Sequence, residues 1–286
     1  MTIPVLDAHV HFWDLRNDWY PALAQMAADV GSSRLYSDFS PADYEHESGS
    51  TVDRMVHVSA VTVPGAHRDE LAWADDMLAA EGVDARFVGT VDPTASPREM
   101  VADIDAQMAI SPRFAGVRVL YGLEPDAPAA AVLLDALAER GLVFDLACGP
   151  DRLGAWARTL DRFPDLRVVL EHCGWPAGTG AEPAAQWRRE IGAFAAQTRA
   201  MCKVSGLGMV TGDLSSSVLL PWMQTVVEAF GWSRVMYGSN MPIDRIAGEF
   251  DELLQAVTEF VDPADDARRR AFYADNAAAV YGFEVR

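Results

Sequence analysis

Eight short β-branched runs alternate with amphipathic helical patterns along 286 residues, which predicts a single (β/α)8 barrel domain over 1–286. Two observations favour the barrel over an open doubly wound sheet. No Gly-rich phosphate loop follows the first apolar run. No linker, low-complexity tract or short repeat divides the chain.

The first strand runs from Val5 into His9, Val10 and His11. A strand's period of two puts Asp7, His9 and His11 on one face, where two imidazoles can converge on one metal ion or one reacting group. Residues 16–46 are rich in Trp, Tyr and Asp without a clear period, and read as an excursion over a site. Further strands are expected at 54–59, 86–91, 114–120, 142–146, 167–171, 201–205 and 234–237. Helices are expected at 69–81, 96–110, 129–140, 151–163, 183–199, 218–230 and 250–260, with a last one over 264–281. Asp92-Pro93 and Ser96-Pro97 mark a strand end and a helix start.

Half the residues are hydrophobic, enough for a sizeable core, and the formal charge is −19. That charge disfavours nucleic acid and anionic membranes as partners and leaves small molecules. No apolar run approaches the ~20 residues of a membrane span, so a soluble, cytoplasmic protein is expected. Cys148, Cys173 and Cys202 lack metal-ligand spacing and read as reduced, buried thiols, none of them a nucleophile. Lys203 is the sole lysine, so a mechanism that needs one has a single candidate. Nothing in the chain indicates its oligomeric state.

Barrel active sites lie at the C-terminal ends of the strands. Counting by parity gives His9 and His11 on strand one, Arg118 on strand four and Asp145 on strand five. His172 on strand six and Asn240 on strand eight complete the rim, while Glu171 is expected to turn away. Alternatives stay open: Asp145 and Arg118 as a buried ion pair, His172 bonded to a carbonyl, Asn240 as a turn residue. His57 and His67 read as structural and His46 as a surface residue.

The segments 7–14 (DAHVHFWD), 144–146 (FDL), 171–176 (EHCGWP) and 237–244 (YGSNMPID) resemble the amidohydrolase-2 branch of the amidohydrolase superfamily. The look is that of its sugar-lactone and 2-pyrone-4,6-dicarboxylate lactonases, and 275–282 resembles the family's last helix. The resemblance implies a His-x-His metal site on strand one and a water-activating Asp on strand eight. Three departures stand out. Strand four ends in Arg118 with no lysine to bridge two metals, strand five offers Asp145 where many relatives have His, and strand eight carries Asn240 in place of the Asp.

A binuclear centre is therefore not expected. One divalent ion (Zn or Mn) on His9 and His11, with Asp145 or His172, and a metal-free site both stay open. The resemblance implies hydrolysis of a lactone or related cyclic ester of a small carboxylated or hydroxylated molecule. Asp145, His172, Asn240 and Asp244 are the candidate catalytic residues. Asp145 and Asp244 are the candidate bases, because an amide cannot serve as one. Arg118 and Trp13 are the candidate substrate-binding residues. The alternatives are a decarboxylase or hydro-lyase of the same superfamily and a non-catalytic binding barrel.

Overall fold

The computed structural model describes residues 4–50 and 53–284; the outermost ends of the expected 1–286 domain lie outside them. Eight strands lie side by side in chain order: β1 (Leu6–Val10), β2 (Arg54–Val58), β3 (Asp84–Gly89), β4 (Phe114–Arg118), β5 (Val143–Leu146), β6 (Arg167–Leu170), β7 (Met201–Val204) and β8 (Val235–Tyr237). Every neighbouring pair is parallel. The chain beyond β8 closes the ring on β1: Asn240 N donates to His9 O at 2.8 Å and His11 N to Met241 O at 2.8 Å.

The helices are α1 (Pro21–Asp29), α2 (Pro41–Ser48), α3 (His67–Ala80), α4 (Pro97–Ile110), α5 (Pro128–Arg140), α6 (Pro150–Leu160), α7 (Ala181–Gln197), α8 (Gly208–Thr211), α9 (Ser216–Phe230), α10 (Phe250–Val261), α11 (Asp266–Arg270) and α12 (Asn276–Tyr281). Proline opens α1, α2, α4, α5 and α6, where its missing N–H is no loss and its fixed φ suits the first turn. Ser40 with Asp43, and Ser96 with Glu99, form capping boxes at the starts of α2 and α4. The excursion 16–46 is more regular than its sequence suggests. It holds α1 and the start of α2, and Trp13 and Phe39 exchange backbone hydrogen bonds of 3.1 and 3.0 Å across its ends.

The strands are buried on both faces. Inside, Leu6, Ala8, Val56, Val58, Val88, Val143, Val169 and Met236 meet Ala277, Ala278, Val280 and Tyr281, so α12 plugs the end of the barrel where the strands start. The 264–281 helix is interrupted by a π turn at Ala271–Asp275 between α11 and α12. Outside, the larger apolar residues of the strands and surrounding helices form the second core.

Asp7 departs from the expected face. The register of β1 against β2 shifts between Asp7 and Val10, so Asp7 turns outward while His9 points into the barrel. Asp7 Oδ1 accepts from His9 N at 3.0 Å and from Ser239 N at 2.9 Å, and Oδ2 accepts from the Tyr44 hydroxyl on α2 at 2.8 Å. This one carboxylate therefore fastens β1 to the chain after β8 and both to α2. Asp7→Ala, which strands three buried donors, is expected to lower the unfolding free energy by about 2–5 kcal/mol in urea titration. Asp7→Asn, which keeps one acceptor oxygen for the two N–H groups, should cost clearly less; equal losses would contradict the fastening role.

Candidate active site

His9 sits at the centre of the rim. Its Nε2 lies 3.2 Å from His11 Nε2, and its Nδ1 lies 3.3 Å from both Lys203 Nζ and Glu171 Oε1. His11 holds its ring with Nδ1 against the Val58 carbonyl at 2.6 Å, which fixes the proton on Nδ1 and leaves the Nε2 lone pair toward His9. The His172 ring is 4.5 Å from that of His9, and its Nδ1 is 3.0 Å from Ser205 Oγ. Burial, aided by the Arg118 charge and, at His9 and His172, by that of Lys203, pushes all three imidazoles well below the ordinary histidine range. They are neutral at pH 7.

Glu171 points into the site, against the expectation that it turns away. The strand geometry continues through Glu171, whose N donates to Leu146 O at 3.0 Å, and His172 then adopts φ 49°. A left-handed residue breaks the alternation, so two successive side chains face the same centre. Glycine at 206 makes room for this turn: a Cβ there would lie 2.4 Å from His172 Nδ1. Glu171 Oε2 is 3.4 Å from Arg118 Nη1 and 3.8 Å from His172 Nε2, while its buried Oε1 has no hydrogen-bond partner.

Arg118 also donates Nη2 to the Ser59 carbonyl at 2.5 Å. Buried Glu70 on α3 braces that corner, accepting from the Ser59 hydroxyl and from Ala60 N at 3.1 Å. Its burial pushes the Glu70 carboxyl up to about 7.

Asp145 does not take the place expected of it as a base or ligand. Its Oδ2 is 2.5 Å from Lys203 Nζ, and the Tyr281 hydroxyl donates to Oδ1 at 2.7 Å. Both oxygens are thus occupied below the rim, and Asp145 does not line the cavity. Nor does it pair with Arg118, whose carboxylate neighbour is Glu171. Burial pushes the Asp145 carboxyl up while the Lys203 ammonium pulls it down.

Asn240, at φ 56°, donates Nδ2 to Asp244 Oδ1 at 3.0 Å. Asp244 stands behind it, away from the cavity, its carboxyl raised to about 7 by burial and its Oδ2 unpartnered.

A cavity of about 400 Å³ opens above these groups, with His11, Arg118, His172 and Asn240 at its floor and Trp13 and Trp175 in its walls. His9, Glu171 and His172 each offer a donor atom, all within 4.8 Å of one another. Two imidazoles and one carboxylate suit a divalent cation, zinc above all. Glu171 Oε1 lies 3.3 Å from His9 Nδ1 and 3.7 Å from Lys203 Nζ but makes no hydrogen bond, so it keeps lone pairs with which to ligate such an ion.

The rim residues His9, His11, Arg118, His172 and Asn240 come together as their sequence positions imply. Sequence reasoning missed Glu171 and the placement of Lys203. Lys203 carried a signal, because it is the sole lysine and lies two residues before Ser205 on a buried strand. The three cysteines are free and buried, and Cys173 packs away from the cavity with its Sγ 3.6 Å from Lys203 O.

Lys203→Met leaves Asp145 without its cation and should cost about 3–5 kcal/mol of stability. Lys203→Met combined with Asp145→Asn removes both charges and should recover much of that loss in the same denaturant titration. A double variant as unstable as the sum of the singles would show that the pair is not the stabilising contact.

A family profile described as Amidohydrolase matches residues 6–283. The chain is 30% identical over 292 residues to an L-fucono-1,5-lactonase of Burkholderia ambifaria, covering 96% of this chain and 94% of that one. An L-fucono-1,5-lactonase of Burkholderia multivorans is 25% identical over 96% of this chain and 95% of its own length. Among solved structures, an amidohydrolase from Burkholderia multivorans with bound zinc matches with a TM-score of 0.80 at 23% identity, covering 98% of this chain and 99% of that one. That match supports the barrel fold. With the profile spanning nearly every residue described, the chain belongs to the amidohydrolase family.

Proposed function

We propose that this amidohydrolase opens a lactone of a small molecule by adding water across the ring ester. The observation that carries the reading is the convergence of three neutral imidazoles, Glu171 and Arg118 beneath one cavity. Ester hydrolysis needs that set: a base for water, and positive charge or donors where the carbonyl oxygen becomes anionic. The two lactonase relatives support the ester class.

His9, His172 and Glu171 would hold a single divalent ion, whose Lewis acidity is the chemistry it supplies. Arg118 offers its guanidinium to the developing oxyanion. In the ion-free site His172 takes the water proton at Nε2, since its Nδ1 is tied to Ser205, and Glu171 Oε2 at 3.8 Å balances the imidazolium formed; an ion held on that nitrogen would take its place in activating water. Asn240 commits its Nδ2 to Asp244, so its Oδ1 is the end left to accept a hydrogen from water and orient it. Asp244 holds Asn240 in place instead of acting as the base. We read the chain as one catalytic domain, and its free, buried thiols support a cytoplasmic location. No helix among the described residues is long and apolar enough to cross a membrane.

The test is a lactone panel with and without chelator, with products identified. Ring-opened hydroxy acid without carbon dioxide supports hydrolysis. Carbon dioxide release from an unsaturated acid would instead make the protein a decarboxylase, and binding without turnover would make it a binding barrel.

On a turned-over lactone, His172→Gln should lower kcat/KM by about 10²–10⁴-fold, the range for a lost acid–base group. Asn240→Ala should lower it by only about 5–150-fold, as for a lost hydrogen bond of ~1–3 kcal/mol. Protonation disables the imidazoles, and burial has lowered their pKa values. The acid limb of kcat/KM should therefore lie below the ordinary histidine value of about 6.5. A limb at or above that value would contradict neutral, desolvated histidines.

A further inference from the structure

Glu70 is buried in the first turn of α3 and spends both carboxylate oxygens on one short stretch of chain just past β2. Its Oε2 accepts from the Ser59 hydroxyl and its Oε1 from Ala60 N at 3.1 Å. On the other edge of that same peptide unit, Ser59 O accepts from Arg118 Nη2 at 2.5 Å. We infer that Glu70 is a positioning residue for Arg118, acting through the Ser59–Ala60 peptide. For what Arg118 does at the cavity floor the inference rests on the lactone-opening reading; the link between the two residues rests on geometry alone.

A trans peptide is planar, with its C=O and N–H on opposite edges, so a group that fixes one edge fixes the other. Ser59 N is tied to Val88 O at 2.8 Å, which anchors the residue before the plane to β3. The plane itself can still turn about the bonds that flank it, and Glu70 is the group that holds it. Arg118 depends on that orientation. Its contact with Glu171 is 3.4 Å long, so Ser59 O is its closest acceptor among the described residues. With the plane turned, Arg118 would be left to Glu171, and Ala60, which lines the cavity, would shift with it.

The clamp requires reach from α3 and an acceptor for Ala60 N, and a glutamine meets both needs. Its carbonyl can accept from Ala60 N while its amide donates to Ser59 Oγ, whose hydrogen is free to turn to Ala60 O, 3.3 Å away. A leucine fills similar space and offers neither bond.

The experiment measures kcat and KM on a turned-over lactone for Glu70→Leu, Glu70→Gln, Arg118→Met and the Glu70→Leu/Arg118→Met pair, at a temperature where circular dichroism shows each chain folded. Arg118 meets charge that develops only in the transition state, so its displacement lowers kcat and spares KM. Glu70→Leu should lower kcat about 10–100-fold, the scale for a misplaced catalytic group, with KM within about twofold. Glu70→Gln should restore kcat to within about threefold of the unaltered chain. In the Arg118→Met background Glu70→Leu should have no further effect. A fall in kcat of equal size in both backgrounds overturns the inference, as does Glu70→Gln as impaired as Glu70→Leu. Should Glu70→Leu not fold, Ser59→Ala takes its place in the cycle, since it removes only the hydroxyl arm of the clamp; the same absence of effect in the Arg118→Met background is expected. If no lactone is opened, the hydrolytic reading fails and the link is read from urea midpoints of the same chains. A double variant whose shift falls well short of the summed single shifts supports the link, and additive shifts overturn it.

Discussion

The ammonium of Lys203 is the fixed point beneath the active site. It is fully buried, ion-paired with Asp145 at 2.5 Å, and 3.3 Å from His9 Nδ1. A charge in such a place is tolerated only when its partners surround it, and these come from four separate parts of the chain: β5, β1, Glu171 beyond β6, and Tyr281 of α12, which reaches Asp145 from below. The helix that plugs the barrel and the histidine that centres the rim are thereby coupled through one cation. Asp145, which reads from its strand-end position as a candidate base or metal ligand, lies here as the counter-ion that makes the lysine tolerable.

Above that layer, the site is assembled where strand geometry ends. His172, Cys173, Trp175 and Asn240 are among the few non-glycine residues of the described chain with left-handed φ. Such conformations cost energy for ordinary side chains and persist where surrounding contacts enforce them. Here those contacts are visible: Trp187 donates to the Cys173 carbonyl at 2.7 Å, and Asn240 N is held by His9 O. The turns deliver Glu171 and His172 to the same centre and put Trp175 edge-on to His172, 5.1 Å between rings.

Electrostatically, the centre pairs two cations, Arg118 and Lys203, with two carboxylates, Glu171 and Asp145, around imidazoles that burial keeps uncharged. Glu171 Oε1, 3.7 Å from Lys203 Nζ and without a hydrogen-bond partner, is the oxygen of that set with lone pairs left for a ligand. The walls have different chemistry from this floor. They are built largely by α1 and the loops after the strands, so what the cavity admits and what it does are set by different parts of the chain.

The barrel itself was legible in the sequence because it rests on local periodicity. Alternating runs, proline-headed helices and Ser-Pro caps are decided by backbone sterics within a few residues. Strand-end parity likewise placed His9, His11, Arg118, His172 and Asn240 on one rim, since that follows from a period of two and a common strand direction. Tertiary structure alone decided what lay outside that rule. The shifted register of β1 turned Asp7 outward, and the left-handed turn at His172 brought Glu171 in. The sole lysine claimed Asp145 from across the barrel. Each of these depends on contacts between residues far apart in the chain, where desolvation and charge pairing outweigh the local alternation that a sequence can display.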